Sequence, residues 1–251
     1  MTRASTGQPE ADDGPEKAAG SIDSGHLLLV GAGPGLGLAL ARRFAAGGYR
    51  VTLLARSADR LAELARNLDD TGAEINTVEA DASSPEDLRA RIAEVYRDQG
   101  APGVVIYNAV LGAPDRLLNS TVAHLQEAYA VDVIGAIVVA QEAAASMKAA
   151  GFGRMIVTGG GFADHPIPAL ATVSLGKAAL RSAATMLGAD LGPDGIRVAT
   201  LTIAGQIAAG TAFDPARIAE RYWQVVQTGD PWQAEFRYTG DQDAPSAGDR
   251  R

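Results

Sequence analysis

The chain has no cysteine, so disulfides, thiolate-bound metals and cysteine nucleophiles are excluded. Its three histidines, His26, His124 and His165, show no ligand spacing, and no metal site is expected. Positive charge is also short. Lys and Arg number 22 against 30 Asp and Glu, and the formal net charge of −8 argues against nucleic acid as a partner. No uninterrupted apolar run is long enough to cross a bilayer; the longest candidate, residues 130–147, carries Asp132, Gln141 and Glu142. Residues 1–25 mix Gly, Pro, Ala and acidic side chains, without the hydrophobic segment that a secretory signal requires. A soluble, cytoplasmic protein without membrane association is the expectation. Aromatic residues make up only 5% of the 251 positions, whereas glycine occurs 29 times. That balance suits tightly packed helices on a sheet whose loops approach a ligand closely.

What is present is a chain, 47% apolar, long enough to bury one substantial core. Residues 26–30 form a short apolar run ending in a glycine cluster, the pattern of a buried parallel strand. Leu36–Ala46 then has helical spacing, residues 51–54 read as a second strand, and residues 58–68 as an amphipathic helix. After a third strand over 75–78, Ser84-Pro85-Glu86-Asp87 opens a helix with an N-cap, a first-position proline and an acidic first turn. Strands over 103–106, 154–158 and 197–203 alternate with helices over 121–150 and Ala171–Leu191. Such alternation predicts an α/β fold: a single-domain, doubly wound parallel sheet of the Rossmann type with helices on both faces. The expected boundaries are a disordered tail over 1–25, the domain over 26–239 and a flexible tail over 240–251. Within the domain, residues 205–239 are read as a substrate lid and C-terminal edge, with a helix over Pro215–Gln227 and an edge strand over 234–238.

The first strand runs into Gly31-Ala32-Gly33-Pro34-Gly35-Leu36-Gly37. Leu36 breaks a G-x-G-x-x-G spacing, but Gly31, Gly35 and Gly37 satisfy G-x-x-x-G-x-G. Glycine lets the backbone turn sharply and a diphosphate lie against the helix N-terminus, where free N–H groups and the dipole favour an anion. The second strand ends Leu53-Leu54-Ala55-Arg56-Ser57, without the carboxylate that would bond a ribose 2′-hydroxyl. Arg56 offers instead a planar guanidinium suited to a 2′-phosphate, with Ser57 beside it. NADP(H) is therefore expected in preference to NAD(H).

Through these residues the chain resembles the short-chain dehydrogenase/reductase family over roughly residues 27–205. The resemblance implies a T-G-x-x-x-G-x-G pyrophosphate loop in which Val30 replaces the threonine and Gly31, Gly35, Leu36 and Gly37 form the turn. It implies that Asp81 and Ala82 contact adenine, and that Asn108 in Tyr107-Asn108-Ala109-Val110 matches part of the family's N-N-A-G segment. It places Ile207 where the backbone meets the nicotinamide carboxamide. A small-molecule substrate follows, as does a homo-oligomer, dimer or tetramer. The family's helices equivalent to 121–150 and Ala171–Leu191 pack across a two-fold axis, and alanine-rich faces permit that approach, although ordinary core packing explains the same alanines.

The family's chemistry relies on a serine, a tyrosine and a lysine, assisted by an asparagine. Its Y-x-x-x-K spacing sets both side chains on one helix face. Here the segment is Val173-Ser174-Leu175-Gly176-Lys177, Gly160 stands at the serine position, and Asp132 at that of the asparagine. The resemblance thus implies a divergent member lacking the catalytic serine and tyrosine. Lys177 is expected first to hold the nicotinamide ribose, as the family's lysine does. Lys177 and Asp132 are also the candidate catalytic residues, since proximity and burial would shift both pKa values; a structural salt bridge between them is the favoured alternative. Asp164-His165, in the loop after the fifth strand, offers a general acid or an exposed loop residue. Tyr107 is expected to pack under the sheet, and Tyr222 with Trp223 to pack a lid helix. Three readings result. One is an oxidoreductase moving hydride to or from a carbonyl, alcohol or activated alkene by a non-standard proton route. The others are a catalytically silent NADP(H)-binding sensor or partner subunit, and non-redox chemistry in the same pocket.

Overall fold

Seven strands, β1 (Ile22–Val30), β2 (Arg50–Ala55), β3 (Ile75–Glu79), β4 (Ala101–Tyr107), β5 (Gly153–Gly160), β6 (Ile196–Ile203) and β7 (Glu235–Tyr238), make one sheet. They pair in parallel in the order β3-β2-β1-β4-β5-β6-β7 in a computed structural model that describes residues 22–240. Helices α1 (Leu36–Ala46), α2 (Ala58–Arg66), α3 (Pro85–Gln99), α4 (Val122–Tyr129), α5 (Gly135–Ala150), α6 (Ala171–Leu191) and α7 (Pro215–Gln227) connect them. Residues 26–30 of β1 and the whole of β4 are buried, which is why apolar residues dominate both. On one face Leu27, Leu29 and Ile106 meet Leu40, Phe44 and Ile218 of α1 and α7. On the other, Leu28 and Val105 meet Leu88, Val139 and Leu180 of α3, α5 and α6.

Most of the two expected tails, residues 1–21 and 241–251, lies outside the described residues. Residues 22–25 do not belong to a tail. Ile22 and Asp23 pair with Ala101 and Pro102 of β4, and the Asp23 carboxylate accepts from the Gly25 amide (2.9 Å) and the Arg50 guanidinium (3.0 Å). Partners distant in sequence recruit a stretch whose own pattern is polar.

The expected helix over 121–150 is divided. Thr121 caps α4 by accepting from the His124 amide at 3.2 Å, and a π-helical turn over Ala130–Ile134 separates α4 from α5. The Tyr107 hydroxyl donates to the Val131 carbonyl within that turn, and a Cβ on Gly135 would collide with the same hydroxyl. Glycine is thus required where the turn closes over the phenol. The stretch Val122–Ala150 is apolar and long enough to cross a membrane by composition, but 56% of its most apolar window is buried inside this fold, as befits a core helix.

The amphipathic α7 packs on α1 as part of the core layer, and Trp223 is the wedge between them. Its ring meets Phe44 (5.4 Å between centroids) and Tyr49 (5.6 Å) edge-on. The Arg43 guanidinium lies 4.0 Å over it while also reaching Glu220 at 2.5 Å. Tyr222 is fully buried and donates to Thr158 Oγ1 at 2.8 Å. Tyr222 and Trp223 thus pack α7, as expected, and the surface they pack it against is the core layer and α1.

Gly47 sits in an ordinary backbone conformation (φ −85°), yet a Cβ there would strike the Trp223 ring. Gly47→Ala should cost about 1–3 kcal/mol through overpacking alone. In a Trp223→Leu background the same change should cost close to nothing; urea unfolding of the four proteins measures the coupling.

Candidate functional site

Gly31 takes a φ of +87°, in the left-handed region, and a Cβ on it would strike the backbone of Ala109. The end of β1 and the segment leaving β4 therefore touch main chain to main chain. A Cβ on Gly33 or Gly35 would meet nothing within 4 Å, so both lie open on the turn. Gly37 is needed for a different reason: a Cβ would come 3.1 Å from Ala32 Cα, and its absence lets α1 sit against the turn. No side chain caps α1 and no acidic residue occupies its first turn. The Leu38 amide is taken by the Gly33 carbonyl (2.8 Å), which leaves the Leu36 and Gly37 amides and the positive end of the dipole for an external anion. An open cradle beside an uncapped helix fits a nucleotide diphosphate.

This turn forms one wall of a cavity of about 290 Å³. Of the cofactor residues expected from sequence, Gly31, Arg56, Ser57, Ala82 and Asn108 line it; Gly35, Leu36, Gly37, Asp81, Lys177 and Ile207 do not. Leu36 is 7% exposed and packs in the core. Asp81 faces a neighbouring cleft with Arg56, and its carboxylate accepts from the Ser83 amide (2.9 Å) and hydroxyl (2.8 Å). Ile207 is half-exposed on the segment after β6. The Asn108 side chain is committed to the protein: its amide donates to the Gly31 carbonyl (3.0 Å), and its oxygen accepts from Thr158 Oγ1 (3.0 Å). Gly33, Pro34 and Arg60 line the cavity although the sequence reading passed over them. For Arg60 a signal existed, because it follows the basic Arg56 by four residues.

Lys177 is buried in α6, and its Nζ donates to the Thr158 carbonyl at 2.7 Å. Burial lowers its pKa to about 8, with the nearby Asp132 charge opposing the shift. Asp132 sits in the π-helical turn, 3% exposed, with Oδ1 accepting from the Leu111 amide at 2.7 Å. Burial raises its pKa, while the Leu111 amide and the Lys177 charge act the other way. The expected salt bridge is not formed. Lys177 bonds to main chain, and Asp132 Oδ2 is buried without a hydrogen-bond partner among the described residues. Geometry explains the offset: Asp132 is wedged against the bare backbone of Gly176, where a Cβ would lie 2.8 Å from Asp132 Cβ and 2.9 Å from Oδ2.

Other candidate groups are engaged elsewhere. Ser174 donates to the Leu170 carbonyl (2.8 Å) and accepts from the Ile167 amide (3.1 Å). Asp164 accepts from Arg181 (2.8 Å) and Arg237 (2.6 Å), which hold its carboxyl below the usual range. Burial raises the Tyr107 and Tyr222 phenols far above their ordinary value. His165 lies exposed in the loop after β5. At Gly160, a Cβ would rest 3.6 Å from Lys177 Cγ, an ordinary contact.

Over 82 residues the chain is 37% identical to a granaticin polyketide synthase putative ketoacyl reductase of Streptomyces violaceoruber, covering 33% of this chain and 30% of that protein. It is 29% identical over 178 residues to an uncharacterized oxidoreductase of Mycobacterium tuberculosis, covering 70% of each. In structure it resembles an alcohol dehydrogenase from Thermococcus sibiricus complexed with 5-hydroxy-NADP, with a TM-score of 0.75 and 25% identity over 86% of this chain and 96% of that one. The short chain dehydrogenase model matches residues 25–212, from within β1 to beyond β6, and so takes in the glycine turn, Arg56, Asn108, Asp132 and Lys177. The chain belongs to the short chain dehydrogenase family.

Proposed function

We propose that the protein is an NADP(H)-dependent oxidoreductase acting on a small-molecule carbonyl, alcohol or activated alkene, by a proton route that uses neither serine nor tyrosine. The observation that carries this reading is the cavity beside the glycine turn, whose lining among the described residues includes Arg56 and no carboxylate. A similarly folded alcohol dehydrogenase complexed with 5-hydroxy-NADP supports it. When bound, the nicotinamide cofactor supplies or accepts the hydride. The turn from Gly31 to Gly37 and the α1 N-terminus hold the diphosphate, Arg56 and Ser57 the 2′-phosphate, and Asp81 and Ala82 the adenine. Asn108 keeps the turn in place, Lys177 holds the ribose, and Ile207 meets the carboxamide.

Asp132 is assigned the proton. Burial favours its protonated form, and Oδ2, which lacks a partner, is the atom to carry the hydrogen. Lys177, titrating near neutrality, can replenish it. A silent nucleotide-binding subunit is the competing reading, supported by Gly160 and Val173 at the positions where the family's serine and tyrosine are expected. The family's helix pairing, together with Val122, Tyr129 and Leu175, exposed by 48–69% around a groove of about 490 Å³ between α4 and α6, supports a homo-oligomer closed through this face.

Purified protein should bind NADPH more tightly than NADH by calorimetry and oxidise it with at least one member of a carbonyl panel. Asp132→Asn should lower that turnover at least tenfold while leaving NADPH affinity within about twofold. Tight binding with no oxidation of any substrate would select the silent reading. A second expectation concerns Lys177. Below about pH 8 both folded and unfolded chains hold its proton, and the fold bears the cost of a buried ammonium. Between that value and 10.5 the unfolded chain binds more protons, so stability rises with pH. Lys177→Met should remove this rise, shifting the stability difference between variant and wild type by about 2–3 kcal/mol across the window in urea unfolding without nucleotide. The same variant should bind NADPH less tightly. For assembly, Leu175→Glu should convert the oligomer to monomer in light scattering without changing nucleotide affinity.

A further inference from the structure

We infer that Arg60 is a second guanidinium of the 2′-phosphate site, so that selection for phosphorylated ribose is divided between Arg56 and Arg60. This rests on the cofactor reading above. Among the described residues, Arg56 and Arg60 are the only charged side chains lining the 290 Å³ cavity. Two uncompensated cations in one cavity are unusual in a chain with a net charge of −8. Most of the described arginines are paired with carboxylates, as in Arg42 with Asp70 (2.7 Å), Arg50 with Asp23 (3.0 Å) and Arg181 with Asp164 (2.8 Å). Neither Arg56 nor Arg60 makes an ion pair among the described residues.

Local structure holds the two on one side of a turn. Ser57 caps α2, its Oγ accepting from the Arg60 amide at 3.4 Å, so the root of the Arg60 side chain is set by the cap. The Ser57 hydroxyl keeps its own hydrogen, free to donate to an anion. The neighbouring cleft decides which side of Arg56 the anion takes. Arg56 borders both spaces, but the second is walled by Glu79, Asp81, Asp87 and Glu94, and its one other cation, Arg91, is bonded to Asp87 (3.3 Å) and Glu94 (2.9 Å). A phosphate monoester, carrying between one and two negative charges, is repelled from that side and drawn to the side Arg60 borders. Arg56 alone does not make this distinction; Arg60 does.

Calorimetry on the full chain with adenosine 2′,5′-bisphosphate and adenosine 5′-monophosphate tests the assignment without any turnover. Arg60→Ala should weaken the bisphosphate about tenfold and the monophosphate less than about twofold, with Arg60→Lys recovering part of the loss. Arg56→Ala should show the same selectivity. An unchanged bisphosphate affinity in Arg60→Ala, or equal losses for both ligands, would overturn the role of Arg60 while leaving the cofactor reading in place. Wild-type protein that binds neither nucleotide, and NADPH no better, would overturn the cofactor reading and this inference together.

Discussion

The side chain of Asn108 holds the two ends of the site in register. Its amide bonds to the Gly31 carbonyl at the glycine turn, and its oxygen accepts from Thr158 at the C-terminal end of β5. Thr158 in turn binds Lys177 through its carbonyl and receives the Tyr222 hydroxyl on its own. One chain of hydrogen bonds thus links the turn, the central strands, α6 and α7. Thr158, Lys177 and Tyr222 are buried and Asn108 partly so, and a bond left unmade among the buried groups would strand a polar atom without water. The glycine turn and the lysine are therefore placed by the same few atoms.

Electrostatics divides the molecule into two regimes. At the surface, carboxylates and guanidiniums pair and neutralise one another, as Asp164 does with Arg181 and Arg237. Beneath α6, Lys177 and Asp132 are both deprived of water and neither reaches the other directly. Burial works against the charged form of each: it lowers the lysine toward neutrality and raises the aspartate. Their charges still attract, so protonation at one site is felt at the other. Such a pair is better suited to holding an exchangeable proton than a solvent-exposed ion pair would be.

Legibility in the sequence followed how local each determinant is. The α6 and α7 limits matched the helical spacing, because an amphipathic face and a proline at the first position of α7 are written in consecutive residues. The glycine turn was equally readable, since a strand, a glycine cluster and a helix follow one another without a gap. The start of β1 was not, because Ile22 and Asp23 are strand only by virtue of β4 beside them. The π-helical turn was invisible for a similar reason: the phenol that bonds Val131 comes from Tyr107, 24 residues earlier. Arg60 stood in plain view four residues after Arg56, but Arg56 precedes α2, and only the cavity shows that the two side chains border one space.

The parallel α/β architecture, the glycine turn, the basic residue after the second strand and the valine four residues before Lys177 were determined by sequence alone, since periodicity, chain order and residue chemistry suffice for each. Tertiary structure decided that Asp132 and Lys177 stand apart, that α7 belongs to the core, and that Asn108 serves the protein's own backbone. Those outcomes depend on which atoms become neighbours after folding. A missing Cβ at Gly176 or Gly47 changes the space available to a side chain from a distant part of the chain, and linear spacing carries no trace of that distance.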